Sequence, residues 1–116
     1  MRIIAGPCQH ESLAQSSEIA KECKRVCDKY GIDYYFKASF DKANRSSITS
    51  YRGPGLEEGL QILSDVKNAL DVPICTDIHT PDQASQVGEV ADLLQVPAFL
   101  CRQTDLVIAI AREAET

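Results

Sequence analysis

The stretch FKASFDKANRSSITSYRGPG, Phe36 to Gly55, decides how the rest of the chain is read. Its first residues continue the aromatic run Tyr34-Tyr35-Phe36, which favours extended backbone, so a second strand is expected over roughly Asp33 to Ala38. The stretch then becomes a long polar loop and holds two Lys, two Arg, one Asn and four Ser in all. Gly53-Pro54-Gly55 leads out of it into Leu56, Leu60, Leu63, Val66 and Leu70, whose three- and four-residue steps describe one face of a helix. A strand, a cation-rich loop and a helix make one β/α unit, with a loop suited to holding an anion.

Working outward, the same rhythm recurs. Upstream, Ile3-Ile4-Ala5 reads as strand one, stopped by the turn-forming pair Gly6-Pro7. A helix follows, with apolar positions Leu13, Ile19, Ala20, Cys23, Val26 and Cys27 and a closing Gly31. Downstream, Val72 to Asp77 supplies strand three, with Pro73 near its start where a missing donor is tolerated. Thr80-Pro81 reads as an N-cap with proline at the first helical position, opening a helix to about Val90. Leu93 to Val96 is strand four, Pro97 turns the chain, and a last helix runs from about Thr104 to Arg112.

Four such units in 116 residues average about 29 residues each, the size of the repeat in parallel α/β folds. A complete (β/α)₈ barrel takes about 250 residues. The expected fold is therefore α/β, the N-terminal half (four βα units) of a TIM barrel: a single domain over residues 1–116 whose C-terminal half is absent. The competing architecture is a small flavodoxin-like open sheet, disfavoured by the lack of a fifth strand. The last helix pattern runs to Ala114-Glu115-Thr116 with no stop signal, which points to a longer protein. In the isolated piece, strands one and four are expected to present unpaired edges.

With 44% hydrophobic and 25% charged residues the composition is that of an ordinary globular protein. A net charge of −5 argues against a general nucleic-acid or anionic-membrane surface. No long apolar run or N-terminal targeting segment is present, so a cytoplasmic location is expected. Five cysteines, an odd number without zinc-finger spacing, suggest reduced thiols rather than a disulfide framework. Cys23 and Cys27 read as two small residues on one helix face.

The polar residues gather beyond the carboxyl ends of the strands, where parallel α/β folds place their ligands. Cys8, Gln9, His10 and Glu11 follow strand one; Lys37, Ser39, Asp41, Lys42, Asn44, Arg45, Ser46 and Ser47 follow strand two; Asp77 and His79 end strand three; Gln95, Arg102 and Gln103 follow strand four. Lys37, Lys42, Arg45 and Arg102 suit phosphate and carboxylate groups, more than one of them. Cys8 is open to three readings, a metal-binding thiolate, a nucleophile or an inert small residue, and spacing alone favours the last. His10 reads as a surface turn residue. Asp77 is a plausible orienting carboxylate, and nothing in the spacing requires His79 to face the site with it. No Walker loop, G-x-G-x-x-G element or H-E-x-x-H helix occurs, and Ser46-Ser47 has no evident His and Asp partners for a triad.

The segment FKASFDKANRSSITSYRGPGLEEGL (Phe36–Leu60), with IAGPC (Ile4–Cys8), TDIH (Thr76–His79) and QVPAFLCRQTDL (Gln95–Leu106), closely resembles the 3-deoxy-D-manno-octulosonate 8-phosphate synthases. The likeness runs in order over essentially the whole chain. It implies a homotetrameric barrel that condenses phosphoenolpyruvate with D-arabinose 5-phosphate and water, releases phosphate, and feeds lipopolysaccharide synthesis. It further implies that Lys37, Ser39, Lys42, Gln95 and Ala98 contact phosphoenolpyruvate and that Asn44, Asp77 and Arg102 contact the sugar phosphate. Arg45 and Ser46 would reach the sugar's phosphate across a subunit interface. Lys42, Asn44 and Asp77 would stand closest to the chemistry. Cysteine at position 8 places the chain in the metal-dependent class, with Cys8 as one ligand of a divalent metal ion and the other ligands beyond residue 116. Two alternatives remain open: a synthase using erythrose 4-phosphate, and a catalytically silent fragment acting as an assembly or binding module.

Overall fold

A computed structural model describes residues 1–113. Strands β1 (Arg2–Gln9), β2 (Asp33–Ser39), β3 (Ile74–Asp77) and β4 (Leu93–Gln95) alternate with helices α1 (Leu13–Tyr30), α2 (Leu56–Leu70), α3 (Gln83–Gly88) and α4 (Thr104–Glu113), and a 3₁₀ turn spans Ala98–Leu100. All three strand pairs are parallel and the sheet order is β1-β2-β3-β4. The chain therefore steps sideways once per unit and never reverses, as in a barrel wall.

The helices start and stop where local chemistry dictates. Ser12 Oγ accepts from the Gln15 N–H at 3.2 Å to cap α1, and Gly31 ends it at φ 64°, with the Ile32 N–H returning to the Cys27 carbonyl at 3.0 Å. Helix α2 enters through Gly55 at φ 91° with no side-chain cap, and Glu57 and Glu58 place negative charge on its positive end. Near α3, the Thr80 cap is not found. The Gln83 side-chain oxygen instead accepts from the His79 N–H at 2.8 Å and the Thr80 N–H at 3.4 Å. That is the returning half of a capping box, made without the threonine hydroxyl.

Two apolar clusters lie side by side on one face of the sheet. Tyr34, Phe36, Ala38 and Ile74 pack with Ala20 and Cys27 of α1 and with Leu63 and Val66 of α2. Phe40 and Ile78 pack with Ala84, Val87, Leu106 and Ile110 of α3 and α4. Alternation along β2 then sends Tyr35, Lys37 and Ser39 to the opposite face, with Cys75, Asp77, Leu93 and Gln95 beside them in register. None of the described helices covers that face. A flavodoxin-like sheet needs helices on both faces, so the one-sided packing favours the barrel wall.

Three strand boundaries differ from the sequence reading, β4 ending at Gln95, one residue before Val96. Strand β3 begins at Ile74, although the Pro73 carbonyl still accepts from the Phe36 N–H at 2.9 Å. More consequentially, Gly6-Pro7 does not stop β1. Ala5 pairs with Phe36 and Cys8 with Ala38, so Gly6 and Pro7 together stand opposite the single residue Lys37. This is a β-bulge: a residue left out of the ladder can be proline, which has no N–H to offer. Cys8 follows at φ 68°, unusual for a residue with a side chain.

Candidate functional site

The bulge brings the strand ends level. Gln9 pairs with Ser39 and Asp77 with Gln95, while the β2–β3 register, extended by two residues, sets Ser39 beside Asp77. A polar row, one residue per strand, thus crosses the carboxyl end of the sheet.

Its centre is tightly bonded. Ser39 Oγ donates to Asp77 Oδ1 and accepts from Lys37 Nζ at 3.2 Å and Lys42 Nζ at 2.8 Å. Asp77 is also ion-paired with Lys37 at 3.6 Å, and its other oxygen lies 3.3 Å from His79 Nε2. Burial alone would raise the Asp77 carboxyl, but the bonds from His79 and Ser39 and the charges of Lys37 and Lys42 outweigh it and hold the group well below the usual carboxylate range. Each ammonium has three donors, and one of each goes to Ser39. The remainder can bind the oxygens of an anion.

Lys37, Ser39, Lys42 and Asp77 are therefore gathered as the sequence suggested, with Gln95 next in the row. His79 joins them: the two-residue step along extended backbone sets it on the same face as Asp77, and the bend at His79 and Thr80 brings the imidazole onto the carboxylate. Pro81, two residues on, is the signal that the strand cannot continue. Arg45 reaches the mouth from the loop: its Nη2 donates to Gln9 Oε1 and its Nε to the Tyr51 carbonyl at 3.2 Å. Asn44, Ser46 and Ala98 are exposed and make no side-chain hydrogen bond among the described residues. Arg102 is exposed beside Cys101, Thr104, Val107 and Ile108, and no hydrogen bond or ion pair among the described residues joins it to the central cluster.

Cys8 is exposed at the bulge. A divalent ion usually takes three or four protein donors, and among the described residues no group of three or more His, Cys, Asp or Glu converges. These residues alone do not make a metal site.

His10 is not the surface residue expected. It is fully buried, its Nδ1 lies 2.9 Å from Ser16 Oγ on α1, and its ring packs toward Phe36. Burial lowers its pKa from 6.5 to about 4. Between those values the unfolded chain binds a proton that the folded chain refuses, so stability is full above about pH 6.5 and declines as pH falls toward 4, by up to about 3 kcal/mol. Urea midpoints at pH 7 and pH 4.5 should differ in that direction. A flat profile would contradict the neutral, buried imidazole.

Among the described residues no helix is long and apolar enough to cross a membrane. The profile of the DAHP synthetase I family matches residues 1–115. Relatives named 2-dehydro-3-deoxyphosphooctonate aldolase are 60% identical over 109 residues in Fusobacterium nucleatum (94% of this chain, 39% of the relative), 61% over 102 in Pseudomonas fluorescens (88% and 36%) and 57% over 112 in Campylobacter jejuni (97% and 42%). The chain spans about two fifths of the length of these relatives.

Proposed function

The chain belongs to the DAHP synthetase I family, and from that premise we propose that the full-length protein condenses phosphoenolpyruvate with D-arabinose 5-phosphate and water, giving 3-deoxy-D-manno-octulosonate 8-phosphate and inorganic phosphate. The observation that carries this reading is the meeting of two ammonium groups on one serine hydroxyl, backed by a buried carboxylate, at the ligand-binding end of the sheet. The names of the relatives favour the eight-carbon product over the erythrose 4-phosphate reaction.

In this scheme Lys37 and Lys42 hold the carboxylate and phosphate of phosphoenolpyruvate, with Gln95 and Ala98 beside them. Asn44, Asp77, Arg102, Arg45 and Ser46 take the sugar phosphate. Carbon 3 of phosphoenolpyruvate attacks the aldehyde carbon of the open-chain sugar, and water adds at carbon 2, where positive character develops. Loss of phosphate from that carbon completes the reaction. The chain's residues contribute by fixing both reactants in line and by stabilising their charge with donors already aimed at the site.

The described units would form the first four of eight, in a cytoplasmic tetramer. Cys8 would supply one ligand of a divalent ion whose other ligands come from elsewhere in the full-length protein. When bound, such an ion polarises an oxygen of a substrate or of water.

The test is phosphate release by the full-length protein from phosphoenolpyruvate with each sugar phosphate. A kcat/KM at least about a hundredfold higher for arabinose 5-phosphate is expected, a difference of roughly 3 kcal/mol. The opposite preference, or no release with either sugar, would sink the reading. Chelation should abolish the activity and a divalent cation restore it; indifference to chelation would remove the role given to Cys8.

A further inference from the structure

Gln9 has no part in the scheme above, yet three observations converge on it. The first is direction. The His10 ring lies on the helix side of the sheet, against Ser16 and Phe36. Neighbouring strand residues point to opposite faces, so Gln9, level with Ser39, projects onto the open face that carries Lys37 and Asp77. The second is polarity. A guanidinium can only donate, so the bond from Arg45 Nη2 fixes the amide oxygen toward Arg45 and turns the NH₂ away from it. The third is an absence among the described residues: Gln9 Nε2 is buried and has no hydrogen-bond partner. The neighbouring Ser39 hydroxyl already accepts from two lysines and donates to Asp77. A buried donor left without an acceptor is destabilising, and the penalty is removed when a ligand oxygen occupies the place.

We propose that Gln9 is a two-ended binding residue: its oxygen holds Arg45 and its NH₂ donates to a phosphate or hydroxyl oxygen of the phosphorylated sugar on the face that carries the lysine pair. This rests on the function proposed above for the identity of the ligand, though not for the hold on Arg45.

Two substitutions separate the ends. Gln9→Met keeps the length and loses both polar groups. Gln9→Glu keeps an acceptor for Arg45, loses the donor and adds charge that opposes an anion. In the full-length protein, trypsin cleavage after Arg45, followed by mass spectrometry of the peptide ending there, reads the first end. It should speed up about tenfold in Gln9→Met and stay at the wild-type rate in Gln9→Glu. Steady-state kinetics read the second end: KM for arabinose 5-phosphate should rise about tenfold in Gln9→Met and further in Gln9→Glu. KM for phosphoenolpyruvate and kcat should stay within about threefold of wild type. A merely structural role for Gln9 would not order the two variants oppositely in the two measurements. Wild-type cleavage in Gln9→Met, or an unchanged KM for the sugar phosphate in Gln9→Glu, overturns the proposal. If the wild-type protein released no phosphate with either sugar, the proposed function would fall while the proteolysis result still judged the hold on Arg45.

Discussion

Gly6→Ala is expected to leave the full-length protein unable to reach its native fold. A Cβ at position 6 would lie 1.9 Å from the Lys37 carbonyl oxygen and 2.8 Å from its carbon. Both atoms belong to the backbone of the adjacent strand, so no side-chain rotation relieves the overlap. Relief requires parting β1 from β2 at the bulge, with loss of the Cys8–Ala38 and Gln9–Ser39 pairings. Substitutions costing more than about 4–5 kcal/mol are exceptional, and a typical domain has only about 5–15 kcal/mol to lose. Gly31→Ala serves as control, since a methyl group there would meet nothing within 4 Å and only the left-handed φ of 64° is strained. It should cost about 1 kcal/mol. Thermal unfolding of both variants checks the contrast: a fall of only a few degrees for Gly6→Ala would mean that the strands yield where this geometry says they cannot.

Asp77→Asn should lower kcat for phosphate release by more than about a hundredfold, a loss of roughly 3 kcal/mol in transition-state stabilisation. The substitution preserves size and shape but removes the charge that Lys37, Ser39 and His79 converge on. With the carboxylate gone, the two lysines keep their attraction for anions, so KM for phosphoenolpyruvate should stay within about threefold of wild type or fall. A rise in KM at constant kcat would instead make Asp77 a simple contributor to substrate binding. The group also bears on acid stability. Its folded value lies below the unfolded one, so its contribution is complete above about pH 4 and is lost as pH falls through the folded value. Asp77→Asn should flatten the unfolding profile in that range.

What is legible in the sequence is mostly local. Gly31 ends α1 where expected because capping depends on a few neighbouring residues, and the spacing of Leu56, Leu63 and Val66 states which side of α2 is apolar. Lys37, Ser39, Lys42 and Asp77 can be grouped because strand ends collect ligands in any parallel fold. What is illegible depends on a partner strand. Gly6-Pro7 alone reads as a stop; only the approach of Lys37 makes it a bulge. The inward turn of His10 and the projection of Gln9 depend in turn on that bulge, which is why spacing sends one to the surface and gives the other no separate role. His79 is a different case: its two-residue step from Asp77 already sets both side chains on one face, a local signal that the sequence reading left unused.

The bulge also behaves as a reading frame. Loops absorb insertions and deletions at little cost, but each residue added to or removed from a strand exchanges its two faces. Between Ala5 and Gln9, the same residues laid in a regular ladder without the bulge would return Gln9 to the helix side and send His10 to the mouth. Bulge and length in this short segment are therefore constrained together: losing one without the other exchanges the two faces. A comparison of related chains that slips by one position here would match the buried histidine of one with the ligand-facing residue of another.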